Sequence, residues 1–171
     1  MNLGLTIIKG RRSVRKYKTD KIDDNIIKET LEAARYAPTA RNVQPWKIGV
    51  VRNKETLEKI SELATYGKFI KTADTCFVVF AEKDHKFRVE DGSAVTMQIL
   101  LSLWSFGVGS CWVAGNNMEY SEDVRKLLSV PDSYVLISLI PAGYPADVTI
   151  PSKKERKEIF FNEEYSEECE E

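Results

Sequence analysis

Cysteine is scarce in this 171-residue sequence: Cys76, Cys111 and Cys169 are odd in number, widely spaced and never paired as CxxC. Neither a thiolate zinc site nor a redox-active disulfide is expected from that spacing, and a reducing compartment is the simplest reading. Glycine falls neither into GxGxxG after a strand nor into GxxxxGK[ST], so a dinucleotide fold of the usual kind and a phosphate-loop NTPase are unsupported. Excess charge of one sign is also missing, since 25 Lys and Arg against 26 Asp and Glu leave a formal net charge of -1. That balance gives no global field to attract nucleic acid or an anionic membrane, so neither is an expected partner. The N-terminus reaches Lys9 without a long apolar core behind a basic start; no signal peptide is expected, and the predicted location is the cytoplasm. Residues 92–118 carry no charge at all, but Ser, Thr, Gln, Asn and Gly interrupt them. A buried helix followed by a buried strand fits this stretch better than a membrane span.

What is present reads as a soluble, folded chain. With 43% apolar and 30% charged residues, the length suits one domain, expected over 1–162. A short helix is predicted over 3–9, ending at Gly10. Asp23 is placed to cap a helix whose inward residues are Ile27, Leu31 and Ala34, with Pro38 as its stop. Trp46–Val51 reads as a strand, Asn53 as the cap of a helix with Leu57, Ile60 and Leu63 on one face, and Gly67 as its end. The continuous run Cys76–Ala81 suits a strand buried on both faces. A charged surface connection is expected over 82–91, then a helix over 92–106 that is apolar nearly all round, which hints at a subunit interface. Val108–Val113 and Tyr134–Ile140 read as further strands, with a helix between them capped by Ser121. Alternating helices and strands leave an α+β or an α/β sandwich open. The end of the chain, 163–171, has six acids in nine residues and is expected to be frayed or disordered.

The sharpest chemical feature is Arg11-Arg12-Ser13-Val14-Arg15, within a basic stretch over 9–18 that contains no acid. Three guanidiniums and a hydroxyl in five residues can hold a phosphate through several charge-assisted hydrogen bonds. A solvated basic face is the plain alternative. A second cluster, Lys153-Lys154-Glu155-Arg156-Lys157, lies near the other terminus, and the two would repel on meeting unless an anion lay between them. In the loop Pro38–Trp46, two prolines restrict how Asn42 and Gln44 point, which suits recognition of a polar heterocycle or simply a rigid turn. The single histidine, His85, is expected to be a solvent-exposed surface residue, and Cys76 and Cys111 to be inert core residues.

Arg11-Arg12-Ser13-Val14-Arg15-Lys16-Tyr17, the loop Pro38-Thr39-Ala40-Arg41-Asn42-Val43-Gln44-Pro45-Trp46 and Gly107-Val108-Gly109-Ser110-Cys111-Trp112 resemble, in order and spacing, the FMN-dependent nitroreductase family. Val124–Pro131, Ala142–Pro145 and Lys154–Lys157 extend the resemblance to everything but the acidic tail. It implies an α+β fold with a central, mainly antiparallel sheet flanked by helices, in an intertwined homodimer with FMN at the subunit interface. Carried over by position, it implies that Arg11, Arg12 and Ser13 hold the phosphate and ribityl chain, that Arg15 lies near the pyrimidine edge, and that Lys154 and Arg156 complete the phosphate site. Pro38, Thr39, Ala40, Asn42 and Gln44 would reach the flavin from the other subunit, and Trp112, Val113, Ala114 and Gly115 would pass beside the ring. The implied chemistry belongs to the flavin, with NADH or NADPH as donor and a nitroaromatic, quinone or similar small molecule as acceptor. Another FMN reaction, such as an oxidation or a reductive dehalogenation, or a non-enzymatic FMN-binding role, fits the same motifs. Thr39 stands where many relatives have Ser, and the connection 82–91 is too short for the helical excursion that covers the site in longer members.

Overall fold

The computed structural model describes residues 2–165; the last six residues, which form most of the expected acidic tail, lie outside the described residues, as does Cys169. Side chains cap the first helices as their sequences suggest. Asn2 accepts the Leu5 amide at the start of α1 (Leu3–Gly10), Asp23 accepts that of Asn25 before α2 (Asp24–Arg35), and Asn53 accepts that of Thr56 before α3 (Lys54–Leu63). α3 stops short of Gly67 because buried Ala64 leaves the helix in an extended conformation; the Gly67 amide then bonds the Ala64 carbonyl in a separate turn.

Five strands form one antiparallel sheet. β1 (Trp46–Val51) pairs with β2 (Thr75–Glu82), β2 with β5 (Tyr134–Gly143), and the far side of β5 carries β3 (Gly109–Ser110) and β4 (Val113–Ala114). The sheet is thus the antiparallel, helix-flanked α+β arrangement, and the alternative of a parallel α/β sandwich is excluded. Side chains of β2 alternate between two cores, as the two-residue period of a strand demands. Phe77, Val79 and Ala81 pack with α2 and with α4 (Arg88–Ser105), while Cys76, Val78 and Phe80 pack with α3 and with α5 (Ser121–Leu127).

Other details of the elements also differ from expectation, each for a local reason. The strand predicted over Val108–Val113 is two short pieces, because the residue of β5 opposite Cys111 is Pro141, which has no N–H to donate to the ladder. Pro141 can only accept, from the Cys111 amide at 3.2 Å. α4 begins four residues earlier than predicted, since Glu90 and Asp91 suit the first turn of a helix rather than a surface connection. Ser121 opens α5 without capping it; its hydroxyl donates instead to the Gly115 carbonyl.

α4 is not enclosed on every side within one chain. Val95, Thr96, Ile99, Leu100 and Leu103 are buried, whereas Ala94, Met97, Leu101 and Trp104 on the other face remain partly exposed. From Ala146 to Tyr165 the chain is an arm exposed at every residue, carrying Val148, Ile150, Ile159 and Phe161 into solvent.

Candidate functional site

After α1 the basic segment runs along the sheet beside β3. Ser13 bridges Ser110 in parallel, the Val14 amide donates to the Ser110 carbonyl at 2.9 Å, and the Lys18 amide to the Tyr144 carbonyl at 2.8 Å. Tyr17 fastens it from within, its hydroxyl donating to the carbonyls of Val14 and Pro141 at 2.7 and 3.0 Å. Burial pushes that phenol far up from its ordinary range. Val14 points into the core while Ser13 and Arg15 face out, so the alternation sorts anchoring from binding side chains.

Among the described residues, no carboxylate lies within ion-pair range of Arg11, Arg12 or Arg15. Arg12 spends Nη1 on the carbonyls of Lys9 and Arg11, at 2.7 and 2.8 Å, but its Nε is buried with no partner. A buried guanidinium nitrogen left without an acceptor is costly, and a ligand anion would satisfy it. Cys111 sits among the same groups. Burial pushes its thiol up from the ordinary cysteine value, and Arg15, the Ser13 hydroxyl and Arg11 oppose the shift. The thiol of Cys76, fully enclosed, is pushed up to about 12 by burial, and both cysteines are buried, as expected of core residues.

Trp112–Gly115 passes over the bulge of β5. Val79 pairs with Ser138 but Phe80 with Leu136, which leaves Ile137 as the extra residue. Its carbonyl accepts from both the Gly115 and Asn116 amides, at 3.0 and 3.1 Å. Trp112 is half-buried against the α4 core, Val113 and Gly115 are buried, and Ala114 is exposed, so a ring laid here would meet backbone and one methyl group. Asn116 and Asn117 go on to line a recess of about 240 Å³ with Arg88, Ser121, Arg125 and Leu136.

The loop over 38–45 is held from outside itself. Asp91, buried in the first turn of α4, accepts the Thr39 hydroxyl at 2.7 Å and the Ala40 amide at 3.1 Å. The Thr39 oxygen accepts in turn from the Gln44 amide at 3.2 Å, and Gln44 Nε2 donates to Asn42 Oδ1 at 3.2 Å. Arg41, Asn42 and Gln44 all adopt positive φ, at 55, 57 and 54°, where a non-glycine backbone costs about 1–3 kcal/mol per residue and persists only if the surroundings impose it. The tip, Arg41 to Gln44, projects into solvent with Asn42 at its apex, while Pro38 is exposed and Pro45 buried at its two ends.

His85 contradicts the expectation of a free surface histidine. Its side chain is 14% exposed and its Nε2 lies 3.0 Å from Asp91 Oδ2. The sequence singled out His85 only as a lone surface histidine, and Asp91 not at all, because both were part of a charged run. An acid directly before the uncharged stretch 92–118, six residues after a lone histidine, was the available signal. Lys154 and Arg156 are not brought to Arg11–Arg15 within one chain. They lie on the exposed arm, where the Arg156 guanidinium stands over the Phe160 ring, 5.8 Å from its centroid.

Among the described residues no helix is long and apolar enough to cross a membrane. The sequence model described as the Nitroreductase family matches residues 8–67 and 63–144. A protein of Methanothermobacter thermautotrophicus, provisionally named an NADH dehydrogenase/NAD(P)H nitroreductase, is 39% identical over 148 residues, covering 84% of this chain and 78% of that protein. A crystal structure from Bacteroides thetaiotaomicron with the same provisional name has a TM-score of 0.92 at 29% identity, over 96% of this chain and 99% of that one. An FMN-dependent nitroreductase from Clostridium difficile has a TM-score of 0.87 at 28% identity, over 94% and 99%.

Proposed function

The chain belongs to the nitroreductase family of oxidoreductases, and we propose that it binds FMN and uses NADH or NADPH to reduce nitroaromatic, quinone or similar electron-poor small molecules. One observation carries the reading: Arg11, Arg12 and Arg15 have no carboxylate within ion-pair range among the described residues, one of them has an orphaned buried Nε, and their segment bridges Ser110, two residues before Trp112–Gly115. When bound, FMN supplies the two-electron chemistry between donor and acceptor.

The chain's own residues bind, orient and tune. Arg11, Arg12 and Ser13 hold the phosphate and ribityl chain, as charge-assisted donors suited to a dianion. Arg15, exposed and unpaired by any acid among the described residues, meets negative charge at the pyrimidine edge. Trp112, Val113, Ala114 and Gly115 form the wall beside the ring. No side-chain acid or base is assigned a step.

The active form is a homodimer. The stripe of Ala94, Met97, Leu101 and Trp104 on α4 recurs at helical spacing, and with Leu3 and Ile8 of α1 it leaves an apolar face that an isolated soluble chain rarely shows. The arm after Ala146 leaves Val148, Ile150, Ile159 and Phe161 exposed, and a partner subunit is the surface it fits. That assembly brings Lys154 and Arg156 to a phosphate, and the loop Pro38, Thr39, Ala40, Asn42 and Gln44 to a flavin, across the interface. Incubation with FMN followed by size-exclusion chromatography tests this: flavin absorbance is expected to elute with a dimer, and a colourless peak would overturn the reading.

A further inference from the structure

The segment between β2 and the first turn of α4 grips the loop 38–45 at both ends. At the near end, Asp91 takes the Thr39 hydroxyl and the Ala40 amide, one on each carboxylate oxygen. At the far end, the Glu82 amide donates to the Pro45 carbonyl at 2.8 Å. His85 closes over Asp91 from the solvent side, its ring nitrogen on the oxygen that also accepts from Thr39. Between the two grips lie the three positive-φ residues, Arg41, Asn42 and Gln44. A strained tip held at both ends is a preorganised one, since its shape is fixed before any ligand arrives.

We propose that Asp91, braced by His85, is a positioning residue that clamps the loop into its binding shape through the Thr39 hydroxyl and the Ala40 amide. The hydroxyl of Thr39 has one proton, and it goes to Asp91; the oxygen also accepts the Gln44 amide. What the loop presents outward is then its tip, Arg41 to Gln44. The inference rests on the FMN reading above for its ligand. The clamp itself is a property of the chain without ligand.

Two measurements on Asp91→Ala and Thr39→Val test it: amide exchange at Ala40 in the apoprotein, and FMN affinity by quenching of flavin fluorescence. Both variants are expected to speed exchange at Ala40 and to weaken FMN binding about tenfold or more. Thr39→Val removes one hydroxyl from a loop and tests the clamp even if Asp91→Ala folds poorly. Thr39→Ser, which keeps the hydroxyl, is expected to rescue both readouts. Exchange at Ala40 unchanged in both variants would overturn the clamp. Faster exchange with unaltered FMN affinity would overturn its role in binding. Wild-type protein that takes up no FMN would remove the ligand, and with it that role, while the exchange data still decided whether the clamp exists.

Discussion

The Gly115 amide lies 3.0 Å from the carbonyl of Ile137, the extra residue of the β5 bulge. There is no room between the two for a side chain. A Cβ at Gly115 would stand 2.9 Å from the Ile137 carbonyl carbon and 2.6 Å from Leu136 Cγ. Gly115→Ala is therefore expected to destabilise the protein by about 1–3 kcal/mol, because backbone cannot yield as a side chain tip can. At roughly 2–4 °C per kcal/mol for a chain of this size, calorimetry should register the drop in Tm.

Loss of Arg11 should loosen the cofactor. Arg11→Ala and, separately, Arg156→Ala are each expected to weaken FMN binding by about tenfold or more, the worth of a charge-assisted bond to phosphate. Fluorescence titration of apoprotein measures this. Arg156 is the more telling of the two, since its effect requires the exposed arm to reach a phosphate it does not approach in the single chain.

Leu101 lies at the middle of the uncovered stripe of α4. A charge placed there would be buried in the dimer without a partner, so Leu101→Glu is expected to give monomers in sedimentation velocity experiments and to lose FMN with the interface. Retention of the dimer would assign the interface to another surface.

Acid should expose the Glu122–Arg125 pair on α5. Arg125 donates to both carboxylate oxygens, Nη2 to Oε1 at 2.6 Å and Nε to Oε2 at 2.9 Å. Chiefly through that hydrogen bonding, Glu122 is held down from its ordinary 4.5 to about 2. The folded state thus binds this proton less readily than the unfolded state. Its stabilising effect is complete above about 4.5 and is lost as pH falls through about 2. Urea midpoints of wild type and Glu122→Gln should differ at neutral pH and converge toward about 2.

Local signals carried most of the fold. Asp23 and Asn53 cap the helices they precede, and the unbroken run Cys76–Ala81 lies in a strand buried on both faces. The basic segment over 11–15 was legible for the same reason, since its chemistry is contiguous in the chain. What escaped was made by residues far apart. Pro141 breaks the strand around Cys111 from 30 positions away, and Asp91 reaches Thr39 and Ala40 across 52 and 51. A charged run is read from composition as solvated, and nothing in it distinguishes the acid that a distant hydroxyl will find. The open face of α4 was legible only as excess apolarity, because sequence does not tell which side of a uniformly apolar helix the rest of the chain covers.

The central claim is that this chain is a flavin-dependent, nicotinamide-driven reductase, and the most direct test is the absorption spectrum of FMN-loaded protein under anaerobic conditions before and after NADH or NADPH. Visible flavin bands that bleach with either nucleotide, and return on adding a quinone or nitroaromatic, are predicted. Bound flavin that neither nucleotide bleaches would contradict the account.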